Sequence, residues 1–296
     1  MFTFTSRDGL TVHVHEWVPD GPPLGIVQIA HGMGEHAARW EPLARALNAR
    51  GYAVYADDHR GHGRTAHAGP GVLGEDGWNL LVDDLAALSR IIGGRHPELP
   101  LVLVGHSLGS FTAQQYLLEH PGLADGVALC GTTAVDLLLA DLAQAGPDVM
   151  ASLNAPFQPA RTGADWLSRD RDQVDAYLAD PWCGFSLDEE GMGALATAAA
   201  TRLADPSDAP GDLPLYVFVG DRDPLNKGLE YSDRLVERYR AAGVAHLEYR
   251  IYDGARHELF NETNRDEVVA DLVAWIDRVR AGGFDGDRAG AHRSRA

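Results

Sequence analysis

Four consecutive apolar residues, Leu101-Val102-Leu103-Val104, run straight into Gly105-His106-Ser107-Leu108-Gly109, and a helical pattern begins near Leu108. A chain that passes from strand to helix across such a G-x-S-x-G turn has few folds open to it. The turn is so tight that the serine takes a strained backbone conformation, which lifts its Oγ above the edge of a sheet. Side chains two positions either side would collide, so both positions want glycine. The N–H of Leu108 then points at a charge developing beside the serine, and the start of the helix adds positive potential. In a chain with 33 glycines the string alone is weak. The strand before it and the helix after it give it weight. Ser107 is the candidate nucleophile.

The surrounding pattern agrees with a buried parallel sheet. Phe2 to Thr5 and Leu10 to Trp17 read as a hairpin around Asp8-Gly9, followed by strands at Leu24–Ala30, Tyr52–Ala56 and Val127–Cys130. Between them, Arg39 to Arg50 reads as a helix stopped by Gly51, and Trp78, Leu81, Leu85, Leu88 and Ile92 recur at helical spacing. Continuously apolar strands alternating with helices imply a sheet covered on both faces. After Gly131 the alternation stops. Helical stretches at Val135–Ala145, Val174–Leu178 and Leu195–Leu203 are broken by Pro147, Pro156, Pro159, Pro181 and Pro206. It resumes with Leu215–Val219, a helix over Tyr231–Arg240, Leu247–Tyr252, and a last helix turning Val269, Leu272, Val273, Ile276 and Val279 inward. The expected organisation is a core over 1–131, a helical insertion over 132–211, the rest of the core over 212–283, and a loose tail over 284–296.

Composition narrows the function. The chain has 25 Lys+Arg against 43 Asp+Glu, a formal net charge of −18, which opposes nucleic-acid binding and electrostatic docking on an anionic membrane. Its length allows burial of about 75% of the unfolded surface, so no disulfide or metal staple is needed. The two cysteines, Cys130 and Cys183, suit neither a disulfide framework nor a cysteine-built zinc site and read as small buried hydrophobes. Met1 to Asp8 carries no basic region followed by an apolar stretch, and no run reaches the roughly 20 apolar residues of a bilayer span. A cytoplasmic protein is expected, with its oligomeric state open.

A serine hydroxyl needs a base in hydrogen-bond reach, itself held by a carboxylate. The loops after the late strands offer both. Gly220-Asp221-Arg222-Asp223-Pro224 follows one, and Asp253-Gly254-Ala255-Arg256-His257 follows the other. His257 is the candidate base. Asp223 and Asp221 compete as its partner; Asp223 stands further from the strand end and has more reach, while Asp221 could brace the loop. His31-Gly32-Met33-Gly34 follows an early strand, where a second oxyanion donor belongs, and the donor would be the N–H of Met33. His31, His36, His59, His62 and His67 crowd this region. Yet His31 to His36 spells H-x-x-x-E-H, one residue too long for a zinc helix and interrupted by two glycines. Loop hydrogen bonding is the simpler reading; no metal or cofactor is expected.

With these residues in hand, the chain resembles the monoacylglycerol lipase/lysophospholipase branch of the α/β-hydrolase superfamily. The resemblance rests on His31-Gly32-Met33-Gly34-Glu35-His36, Asp58-His59-Arg60-Gly61-His62-Gly63, Gly105-His106-Ser107-Leu108-Gly109, Gly220-x-x-Asp223 and Gly254-x-x-His257. It extends into the insertion through Trp166-Leu167-Ser168-Arg169-Asp170 and Asp180-Pro181-Trp182-Cys183-Gly184-Phe185. It departs at Arg64-Thr65-Ala66, which bears on loop shape. The resemblance implies an α/β-hydrolase fold: a mostly parallel eight-stranded sheet flanked by helices, with a helical lid inserted after strand 6. It implies Ser107, Asp223 and His257 as nucleophile, acid and base, with Met33 and Leu108 as oxyanion donors. His31, Gly32, His106, Leu138 and Leu139 would border a small-molecule acyl ester.

Val135, Leu138, Leu139 and Leu142, joined by Met150 and Leu153, form an apolar stripe that either buries an acyl tail or seals the insertion onto the sheet. The expected activity is a serine esterase acting on a monoacylglycerol or lysophospholipid, with membrane contact at most transient and through the lid. A small-ester hydrolase or peptidase on the same scaffold, and a binding protein without chemistry, remain the alternatives.

Overall fold

The computed structural model describes residues 1–144 and 149–284. Ala145, Pro147, the side chain of Met150 and the expected tail beyond Phe284 lie outside the described residues. Within them, β1 (Phe2–Thr5), β2 (Thr11–Trp17), β3 (Gly25–Ala30), β4 (Tyr52–Asp57), β5 (Leu101–His106), β6 (Gly126–Cys130), β7 (Leu215–Gly220) and β8 (Leu247–Tyr252) form one sheet. Its order is β1-β2-β4-β3-β5-β6-β7-β8, antiparallel from β1 to β2 and from β2 to β4, and parallel in the other pairings.

Alternating side chains send the apolar strands into two cores. Leu101 and Leu103 of β5 face one cluster, built with α2 (Gly77–Arg95) and α3 (Leu108–Glu119); Val102 and Val104 face the other, built with α1 (Glu41–Asn48) and α9 (Arg265–Arg280). Each fully buried Leu or Val contributes about 1.5–3 kcal/mol relative to exposure, so a strand apolar on both faces is worth forming only between helices. Trp78, Leu81, Leu85, Leu88 and Ile92 of α2 are all buried in the first core, as their spacing predicts.

Between β6 and β7 the described residues contain no strand. They hold α4 (Val135–Gln144), α5 (Val149–Asn154), α6 (Arg171–Ala179) and α7 (Glu189–Ala200), and α8 (Glu230–Ala241) follows β7. Several boundaries differ from the sequence expectation. The helix expected from Arg39 starts at Glu41, because Pro42 belongs in a first turn and a 3-10 turn over Ala37–Trp40 precedes it. Helix α7 begins six residues before Leu195, where the Asp188 side chain accepts from Gly191 N–H at 2.8 Å. In α9 the fully buried position is Val268, with Val269 half-buried, since Val268 continues the Leu272–Ile276–Val279 face. Cys130 is buried in the second core, but Cys183 is half-exposed in the loop after α6 and so is no core hydrophobe.

The parallel strands all end at one edge of the sheet. The loops after β3, β5, β7 and β8 meet there, which is where ligands bind in open α/β sheets.

Candidate active site

Ser107 sits at the junction of β5 and α3 with φ 51° and ψ −120°, a left-handed conformation that a serine adopts only under constraint. The constraint is packing. A Cβ on Gly105 would lie 2.5 Å from the carbonyl oxygen of Gly109, and a Cβ on Gly109 would lie 2.1 Å from that of Ala30. Both flanking glycines are therefore required, and the backbone of β3 presses directly against the turn. Ser107 N–H donates to Cys130 O at 3.1 Å, tying the turn to β6. The Ser107 hydroxyl makes no hydrogen bond among the described residues.

His257, in the loop after β8, places Nδ1 2.8 Å from Oδ2 of Asp223, in the loop after β7; both side chains are buried. The second oxygen of Asp223 accepts from Leu225 N–H at 3.0 Å, so the carboxylate is held at both ends. Asp221, the competing acid, makes no such contact: its backbone N–H donates to Tyr252 O at 3.2 Å. Burial pulls the His257 imidazole toward neutrality. The charge and hydrogen bond of Asp223, with Glu258 and Glu35 beyond, outweigh this and raise its pKa above the ordinary value. His106, next to Ser107, packs its ring 4.8 Å from that of His257. Burial and the neighbouring His257 lower its pKa to about 3, so it stays uncharged.

The loop after β3 folds against the serine. A Cβ on Gly32 would sit 3.2 Å from Cβ of Ser107 and 2.9 Å from Oε1 of Glu35. The N–H groups of Met33 and Leu108 have no backbone partner among the described residues. Two free amides beside an exposed-turn serine are what an anionic oxygen requires. His31 is fully buried: its Nε2 accepts from His59 N–H at 3.0 Å, which leaves Nδ1 to donate to Gly32 O at 2.8 Å. Its ring stacks on His59 at 3.9 Å, and His59 in turn bonds Asp57 at 2.8 Å. These histidines, with His62 Nδ1 donating to Arg60 O at 3.0 Å, brace the loops. Three potential metal donors, on His36, Asp180 and Cys183, do approach within 4.8 Å of one another, but His36 Nε2 and Asp180 Oδ2 already form a 2.9 Å hydrogen bond.

One arrangement escaped the sequence analysis. Arg39 lies between two carboxylates, 2.7 Å from Glu35 and 2.9 and 3.0 Å from the oxygens of Glu258. Glu35 also accepts from Gly32 N–H at 2.6 Å, so one half-buried guanidinium ties the loop carrying Met33 to the loop carrying His257. Burial raises the pKa of Glu35, while Arg39 overcomes burial at Glu258 and lowers it to about 2. The spacing of Glu35 and Arg39 was legible as an i,i+4 pair; Glu258, 219 residues from Arg39, was not.

The segment between β6 and β7 reaches this edge. Gly184 N–H donates to Gly34 O at 3.0 Å, a Cβ on Gly34 would lie 2.2 Å from Phe185 O, and the Phe185 ring packs 5.0 Å from His62. Trp166 lies against His257, ring to ring at 5.1 Å. In the apolar stripe, Val135, Leu138 and Leu153 are buried in the first core, while Leu139 and Leu142 are half-buried against it.

Comparison with known proteins agrees with this architecture. The family described as serine aminopeptidase, S33, matches residues 21–264. A monoacylglycerol lipase of Mycolicibacterium smegmatis is 33% identical over 286 residues, covering 93% of this chain and 95% of that protein. The human monoglyceride lipase is 31% identical over 293 residues, covering 93% and 90%. A crystal structure of a thermostable carboxyl esterase from Bacillus coagulans in complex with glycerol superposes with a TM-score of 0.83 at 29% identity, covering 94% of this chain and 98% of that one. The chain belongs to the serine aminopeptidase S33 family of α/β-hydrolases.

Proposed function

We propose that the protein hydrolyses the ester bond of single-chain acyl lipids, monoacylglycerols or lysophospholipids, through Ser107, His257 and Asp223. The observation that carries this reading is the buried 2.8 Å His257–Asp223 pair at the same sheet edge as the strained Ser107 turn. The lipase names of the relatives, at near-complete coverage of both chains, support the substrate class.

In this mechanism His257 Nδ1 donates to Asp223, leaving Nε2 unprotonated to accept the Ser107 proton. Oγ attacks the ester carbonyl, and the N–H groups of Met33 and Leu108 hold the resulting oxyanion. The imidazolium returns its proton to the leaving glycerol or phospho-alcohol, giving an acyl-enzyme. His257 then takes a proton from water, the hydroxide attacks the acyl carbon, and the fatty acid leaves as Oγ regains its proton.

The helices between β6 and β7, over 132–211, act as a lid between two core parts at 1–131 and 212–283. Half-buried Leu139, Leu142 and Met33 supply apolar surface for the tail, at about 0.8 kcal/mol per methylene sheltered. A p-nitrophenyl ester series should show octanoyl preferred over acetyl by about tenfold or more in kcat/KM. Preference for acetyl would favour a small-ester hydrolase. Parallel assays of a monoacylglycerol and a lysophosphatidylcholine then separate the head groups.

The base must be neutral to accept a proton, and its pKa is raised. Activity should therefore be lost as pH falls through an apparent pKa above the ordinary histidine value near 6.5. A kcat/KM that stays flat across about pH 5–8 would oppose a histidine base.

A further inference from the structure

We propose that Trp166 is a positioning residue for the reaction: its indole holds the His257 ring against Asp223 and favours the imidazolium that forms as Ser107 attacks. This rests on the triad reading above. His257 has two ring neighbours, with the Trp166 ring centroid 5.1 Å away on an interplanar angle of 35° and the His106 ring 4.8 Å away. A cation within about 6 Å of an aromatic face is attracted to its π cloud, and tryptophan is the strongest such partner. The neutral His106 supplies no competing charge.

The segment carrying the indole is fixed through its backbone. The backbone N–H of Trp166 donates to Asn154 Oδ1 at 2.9 Å, and Asn154 Nδ2 donates to Thr162 O at 2.7 Å. One residue further on, Leu167 O accepts from Glu258 N–H at 2.8 Å, so the residue after the tryptophan is bonded to the residue after the histidine. Ser168 Oγ donates to Asn261 O at 2.8 Å, and Arg256 donates to the carbonyls of Asp165 and Ser168. The segment between β6 and β7 is thus stitched to the histidine loop at the point where the indole meets the imidazole. A group outside both halves of the core completes the base.

The other charges that face His257 are Asp223, Glu258 and Glu35, with Arg39 held between the two glutamates. None of them contacts the indole through a hydrogen bond, so replacing Trp166 isolates the ring's contribution. In W166L the acid limb of the kcat/KM profile should move down by about half a unit, and kcat for an acetyl ester should fall about fivefold with KM within twofold. W166Y and W166F should fall between parent and W166L. An acid limb in W166L that stays at the parent position, or one in W166F displaced as far as in W166L, overturns the assignment. If W166L does not give a folded melting transition, the order parent, W166Y, W166F in acid-limb position carries the test, and an inverted order overturns it. Fluorophosphonate labelling keeps the two readings apart. Loss of Ser107 labelling in the parent sinks the triad; normal labelling with parent-like tryptophan variants sinks only this inference.

Discussion

Ser107→Ala is expected to lower kcat by about 10⁴- to 10⁶-fold while leaving the melting transition within about 2 °C of the parent. The size follows from the role: without Oγ no acyl-enzyme can form, and only the oxyanion donors and substrate binding remain to act on water. The small stability effect follows from the surroundings. The Ser107 hydroxyl has no hydrogen bond to lose among the described residues, and alanine meets the same backbone cost as serine at φ 51°. Enzyme assay and thermal melting on the same preparation check both parts. A variant retaining a tenth of the parent kcat would remove Ser107 from the mechanism.

Asp223→Asn is expected to cost about 10⁴-fold in kcat with little loss of folding. Both oxygens of Asp223 are in use, one accepting from Leu225 N–H at 3.0 Å and the other 2.8 Å from His257 Nδ1. Asparagine offers one oxygen and one NH₂. If its oxygen keeps the Leu225 bond, its NH₂ faces Nδ1, which must then become an acceptor. The imidazole proton moves to Nε2, the nitrogen that has to receive the serine proton. The isosteric side chain preserves packing and inverts the tautomer. Asp221→Asn, by contrast, should leave kcat within about twofold, since Asp221 makes no contact with His257. A large loss at Asp221 and a small one at Asp223 would reverse the assignment.

The core was legible because its signals are local. Each of β3, β4, β5, β6, β7 and β8 lies within two residues of the run that announced it; β3 to β7 are buried along their whole length, which leaves such apolar runs little else they can do, while the edge strand β8 is buried only at Tyr252. Of the site, the strained turn was legible because its glycines are required by contacts with Gly109 and Ala30. The choice of Asp223 over Asp221 rested on reach, and Asp223 Oδ2 lies 2.8 Å from His257 Nδ1. What the sequence hid is long-range. No periodicity connects Arg39 to Glu258 or Trp166 to His257; those contacts exist because separate loops converge on one edge. The start of α7 was hidden because Asp188 stands in an acidic run with Glu189 and Glu190, and only the bond from Gly191 N–H marks it as the cap. Helix α5, at six residues, is too short for periodicity to reveal.

The most direct measurement is peptide mapping by mass spectrometry after reaction with an alkyl fluorophosphonate, which traps the activated hydroxyl of a serine hydrolase. One adduct per chain on the Ser107 peptide is expected, forming more slowly as pH falls through the His257 pKa and at least about a hundredfold more slowly in Asp223→Asn. An adduct on another residue, or full ester hydrolysis by a chain that takes up no label, would contradict the account.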